Sequence, residues 1–135
     1  MGKHKNNHDN QNNMQFRPKK VSVFDIPRPE FPKRAVITGG MPYGNKKLHF
    51  GHVGGVFVQA DCLARFLRDR IGEENVIFVS GTDCYGSPIV ESYRKLIEDG
   101  EFDGTIEDFV RQNHESQKQT LKDYDISLSL FAASG

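Results

Sequence analysis

The chain has 135 residues, enough for one hydrophobic core and too few for two domains. Eighteen Lys and Arg balance eighteen Asp and Glu, so net charge selects neither a nucleic acid nor an acidic partner. Two cysteines, Cys62 and Cys84, form no CxxC pair, so neither a disulfide framework nor an obvious zinc site is expected; with no apolar window of about 18 residues and no apolar leader, the expectation is no membrane contact and a cytoplasmic protein.

Residues 1–20 are rich in Asn, Lys and Gln and carry five basic residues and one acidic one. Such a segment buries too little apolar surface to offset its ordering entropy, so it reads as a disordered basic arm. Residues 21–33 hold Pro27, Pro29 and Pro32 and form a Pro-rich, extended lead-in. The folded domain is expected over 34–135. "RAVITG", Arg34 to Gly39, reads as a short buried strand, and "GGMPYGN", Gly39 to Asn45, as a loop.

A helix follows. Val53, Val56, Phe57, Ala60, Ala64, Leu67 and Ile71 recur at spacings of three and four, and Gly72 is placed to end it. Asp61 and Arg65, four apart, read as a surface or helix-supporting pair. "NVIFVSG", Asn75 to Gly81, is apolar on both faces, as a buried parallel strand would be. Beyond "TDCYGS", Ser87 is read as the cap and Pro88 as the first turn of a helix facing inward through Ile89, Val90, Tyr93, Leu96 and Ile97. Thr105 can cap a further helix, whose middle, "NHESQKQ", is too polar to be fully buried. The tail "DISLSLFAASG" has an apolar patch and no clear end signal. Strand, helix, strand, helix, helix is an α/β order, with only two clear strands.

The first loop carries the chemistry. A loop leaving a parallel strand and entering a helix gathers backbone N–H groups and the positive end of a helix dipole, which favours anions. His49 and His52 stand three apart at that helix start, so both imidazoles can turn to one side and donate to phosphate oxygens. Gly51 between them permits close approach of a flat ligand, and Lys46 and Lys47 add positive potential. The four-residue HxGH pattern alone is equally well two solvent-facing histidines; the preceding strand, the Gly and Pro-Tyr loop and the long helix weigh against that. Asp83 stands where a second parallel strand ends, a position at which α/β sheets place ligands, although Asp also suits a plain turn there.

The run "ITGGMPYGNKKLHFGHVGG", then "QADCLARFLRDR", then "NVIFVSGTDCYGSPI", resembles the start of class I aminoacyl-tRNA synthetases, and within them the methionyl type. The resemblance extends from about Lys33 to Ser127. It implies a partial Rossmann-like nucleotide-binding domain, an incomplete parallel sheet flanked by helices. It implies that ATP, with Mg as its companion ion, and methionine form methionyl-adenylate, whose methionyl group passes to tRNA in a complete enzyme. His49 and His52 would be the catalytic signature histidines on the ATP phosphates, with Lys46 beside them and Gly51 under the adenine. Met41, Pro42 and Tyr43 would line the amino-acid pocket, and Asp83 would receive the methionine ammonium group through a charge-assisted hydrogen bond.

The chain departs from the pattern in places. Phe50 replaces an aliphatic residue in the signature, and Cys84-Tyr85 stand where family members carry a small or acidic residue and then histidine. No lysine-containing KMSKS loop occurs, so aminoacylation by these 135 residues alone is expected to be negligible. The rival expectations are a truncated relative that binds nucleotide or amino acid without activating it, an interaction module whose partner protein covers the incomplete sheet, and, ranked lower, a nucleotidylyltransferase.

Overall fold

The computed structural model describes residues 30–135; the basic arm expected over 1–20 and the lead-in up to residue 29 lie outside the described residues. Three parallel strands, β1 (Ala35–Thr38), β2 (Val76–Thr82) and β3 (Leu130–Ala133), form one open sheet in that order. Ala35 to Thr38 lie opposite Val76 to Val79, and Val79 to Thr82 lie opposite Leu130 to Ala133. The first two strands fall where the apolar runs predict them. The third corrects the two-strand reading: the tail is a strand. It is short, and it is held from outside, by the Ser129 N–H on the Phe78 carbonyl at 2.7 Å and the Ser134 N–H on the Thr82 carbonyl at 3.1 Å. Gly81 makes that pairing possible, because a Cβ there would lie 2.1 Å from the Ala132 carbonyl oxygen.

A short helix α1 (Phe50–His52) passes into a π-helical turn (Val53–Phe57) and then into α2 (Val58–Ile71). The wide turn contains Gly54-Gly55, where the backbone is least constrained, and follows the histidine pair directly. Gly72 ends α2 as predicted, at φ 95°, with its N–H on the Arg68 carbonyl. Helix α3 (Ser87–Glu98) has Pro88 in its first turn. Ser87 is not the cap: it is the first helical residue, and Gly86 precedes it without a side-chain bond. Ile89 is buried and Tyr93 and Leu96 half-buried, but Val90 and Ile97 are exposed, each one residue off the face that the other three share. Helix α4 (Ile106–Asp123) has the Thr105 cap, reciprocated by the Asp108 side chain at the Thr105 N–H.

The core lies on one face of the sheet. Phe57 and Ala64 from the first helical run, Phe78 from β2 and Leu121 from α4 are buried together, with Ile37, Ile126, Leu128 and Phe131 packed around them. Each fully buried Phe or Leu here contributes about 1.5–3 kcal/mol. The opposite face carries Val36, Ile77 and Leu130, all exposed. Asp61, one turn from both Phe57 and Ala64, is also inside. It accepts from the Ser127 N–H at 2.7 Å, from the Ser127 hydroxyl, and from Arg65 Nε at 2.7 Å. The Asp61–Arg65 pair is thus a helix support that extends to the chain entering β3.

Candidate active site

The site is built where β1 and β2 end, at the same side of the sheet. Beyond their last ladder pair the two chains stay together: the Asp83 N–H donates to the Pro42 carbonyl at 2.8 Å, and the Gly44 N–H donates to the Asp83 carbonyl at 2.8 Å. Tyr43 and Asp83 are therefore bridged in parallel, although forty positions apart in sequence. Pro42 is buried beneath this bridge, and Met41 and Tyr43 keep about half of their surface in solvent. The Met41 methyl lies over Gly81, and the Tyr43 ring lies beside Gly86. Asp83 Oδ1 also accepts the Tyr85 N–H at 3.1 Å, so the carboxylate shapes its own turn while remaining half-exposed.

His49 and His52 hold each other's backbone. The Gly51 N–H donates to His49 Nδ1 at 3.1 Å, and the His49 N–H donates to His52 Nδ1 at 3.3 Å. An Nδ1 that accepts carries no proton, so each neutral ring has its hydrogen on Nε2. The rings sit 3.9 Å apart between centroids and 39° from parallel, which leaves two Nε2–H donors side by side. Burial, the neighbouring His49 and the Lys46 ammonium together hold His52 below the ordinary imidazole range, so it is neutral at pH 7. A Cβ at Gly51 would stand 2.9 Å from the His49 ring, so any side chain there would push the ring out of this arrangement. Phe50 points outward and lies against Gly54.

A second layer, absent from the sequence reading, fixes the loop between these groups. Gln117 of α4 is fully buried. Its Nε2 donates to the Tyr43 carbonyl at 2.8 Å and to the Lys46 carbonyl at 2.9 Å. Its Oε1 accepts from the Thr82 hydroxyl at 2.8 Å, and that hydroxyl meets His114 Nδ1 at 2.9 Å. The Asn45 amide donates to Ser92 Oγ at 3.2 Å and ties the loop to α3. The polar middle of α4 is not fully buried, as predicted: Glu115, Lys118 and Gln119 are exposed and Asn113, His114 and Ser116 partly buried, but Gln117 lies fully inside. Position gives the only clue: Gln117 lies four residues before Leu121 and eight after Phe109, hence on the core stripe.

The structure thus brings Met41, Pro42, Tyr43 and Asp83 into one group and His49, Gly51 and His52 into another, with Lys46 on the loop between. Among the described residues no group of three His, Cys, Asp or Glu side chains comes together as a metal site. No described helix is long and apolar enough to cross a membrane.

The family described as tRNA synthetases class I (M) matches residues 35–134. The methionine–tRNA ligase of Cytophaga hutchinsonii is 38% identical over 102 residues, covering 75% of this chain and 14% of that protein. The methionine–tRNA ligase of Thermococcus onnurineus is 41% identical over 98 residues, 73% of this chain and 12% of that protein. The chain therefore spans about a seventh of the length of these relatives. The crystal structure of Mycobacterium tuberculosis methionyl-tRNA synthetase bound by methionyl-adenylate superposes with a TM-score of 0.63 at 24% identity, over 75% of this chain and 18% of that one, and shares the fold. With a family match across nearly the whole described region, strand ends and histidine loop included, the chain belongs to the class I tRNA synthetases of the M group.

Proposed function

We propose that this chain forms the first part of a methionine-activating site, the segment of a methionyl-tRNA synthetase that binds ATP and methionine. The carrying observation is the pair of Nε2–H donors on His49 and His52, at the end of a loop whose start is tied down by the Tyr43–Asp83 bridge. In this reading the methionine carboxylate oxygen attacks the α-phosphorus of ATP, the bond to the β-phosphate oxygen breaks, and pyrophosphate leaves. Negative charge grows on the leaving oxygens, and two preset imidazole N–H donors stabilise it without reorganising. Gly51 leaves room for the adenine, and Lys46 adds positive potential. Mg would come with ATP as its companion ion. Asp83 takes the ammonium group, and Met41, Pro42 and Tyr43 give the side chain an apolar wall. Transfer to tRNA belongs to the complete enzyme, and the exposed face of Val36, Ile77 and Leu130 suits further polypeptide of that enzyme. No specific observation favours a nucleotidylyltransferase or a separate partner protein.

The test is calorimetric binding of a non-hydrolysable methionyl-adenylate analogue to the chain. Saturable binding that weakens at least tenfold in His49→Ala/His52→Ala and in Asp83→Ala is the expected result. A folded chain that binds no analogue, or variants that bind as wild type does, would remove these residues from the site.

A further inference from the structure

Apart from the histidine loop, the described residues border a half-open cavity of about 500 Å³ between the start of α3, the first turns of α4 and the end of β3. Ile89, Val90, Ile106, Val110 and Ala133 make most of its wall apolar, and Glu107, Arg111 and Tyr85 also line it. Neither histidine of the candidate site lines it, nor do Met41, Tyr43 or Asp83. His114 does, and its ring is stacked 5.3 Å from Phe131 at 11°.

The hydrogen-bond polarity of His114 is fixed by its neighbours. Gln117 Nε2 faces two backbone carbonyls, which only accept, so the amide cannot be turned round. Its Oε1 must then receive the one proton of the Thr82 hydroxyl. With that proton used, Thr82 Oγ1 can only accept from His114, so the neutral imidazole carries its hydrogen on Nδ1. Nε2 is left with a lone pair. Glu115 Oε1 lies 4.0 Å from it, beyond hydrogen-bond distance. A mainly apolar cavity with an oriented imidazole acceptor suits a small apolar molecule that carries one donor.

We propose that this cavity is a second ligand site, taking a phenol- or indole-sized alcohol or amine whose O–H or N–H donates to His114 Nε2. The occupant is coupled to the histidine loop, because the chain from His114 through Thr82 and Gln117 ends on the Tyr43 and Lys46 carbonyls. The site is independent of the adenylation reading.

Phenol and toluene, titrated into the 135-residue chain and followed by amide and imidazole NMR, distinguish the outcomes. Phenol is expected to bind saturably with a dissociation constant on the order of 1 mM, shifting Ile89, Val110 and His114 Nε2. Toluene, equal in size and lacking the donor, should bind roughly fivefold more weakly. The Gly44 and Asn45 amides should move with phenol and stay still with toluene. Val90→Trp, at an exposed wall position, should abolish binding of both, and His114→Phe, which keeps a ring on Phe131, should make the two probes equal. Equal affinity of phenol and toluene for the wild-type chain, shifts that do not saturate, or undiminished binding to Val90→Trp would overturn the proposal. The wild-type comparison decides the matter even if either variant fails to fold.

Discussion

Asp61→Asn keeps the shape of the side chain and removes its charge. In the wild-type chain Asp61 is buried, 7% exposed, and accepts three hydrogen bonds, two from Ser127 and one from Arg65. Burial alone would raise its pKa, but the Ser127 and Arg65 hydrogen bonds and the Arg65 charge together outweigh burial and hold it below the ordinary carboxyl range. In the variant one amide oxygen can still receive Ser127, but the amide nitrogen faces Arg65 Nε, donor against donor. The Arg65 bond is lost and the two from Ser127 become neutral, at a cost of about 2 kcal/mol. The sign with pH follows. A carboxyl whose folded pKa is depressed adds stability that is fully present above its unfolded value near 3.9 and is lost as pH falls through the folded value. Urea unfolding of both chains at pH 7 and again near pH 2.5 should show the gap at pH 7 and its closing at acid pH, where protonated Asp and Asn resemble one another. Other carboxyls titrate in both chains and cancel in the difference. A gap below about 0.5 kcal/mol at pH 7, or one of equal size at both pH values, would refute the buried-anchor argument.

Three further outcomes follow from the same geometry. Gly81→Ala sets a Cβ 2.1 Å from the Ala132 carbonyl, so β3 must move off β2; a loss of at least about 3 kcal/mol in urea and faster amide exchange at Ala132 and Ala133 are expected. Gln117→Glu cannot donate to the Tyr43 and Lys46 carbonyls when ionised, so at pH 7 it should unfold at lower urea than Gln117→Leu, and the order should narrow as pH falls and the carboxyl gains a donor proton. Thr105→Ala removes the α4 cap and should cost about 1 kcal/mol, measured by the same unfolding curve.

The elements that sequence pattern revealed are those whose cause is local. Apolar runs gave β1 and β2, the three-four spacing gave α2, and Gly72, Pro88 and Thr105 marked helix ends because each acts on its own backbone. β3 was hidden because its reason is distant: four residues become a strand only through Gly81, Ser129 and Ser134 meeting β2. The same division runs through the candidate site. His49, Gly51 and His52 form a self-contained turn, so their closeness was legible from spacing three. The Tyr43–Asp83 bridge is long-range, yet both residues stand just past strand ends, and strand ends in a parallel sheet share one side. Gln117 had no such rule behind it. A glutamine amid Asn, His, Glu, Ser and Lys looks solvated until the fold shows two stray carbonyls above it. Those carbonyls belong to the loop that carries the chemistry, where the Gly39 and Gly44 N–H groups are already used on the Val79 and Asp83 carbonyls. The helix must supply a donor from its core side, and Gln is the neutral residue that can give two hydrogens there and take one back from Thr82. Loop shape, helix register and histidine tautomer are thus one constraint, visible only once α4 lies across the strand ends.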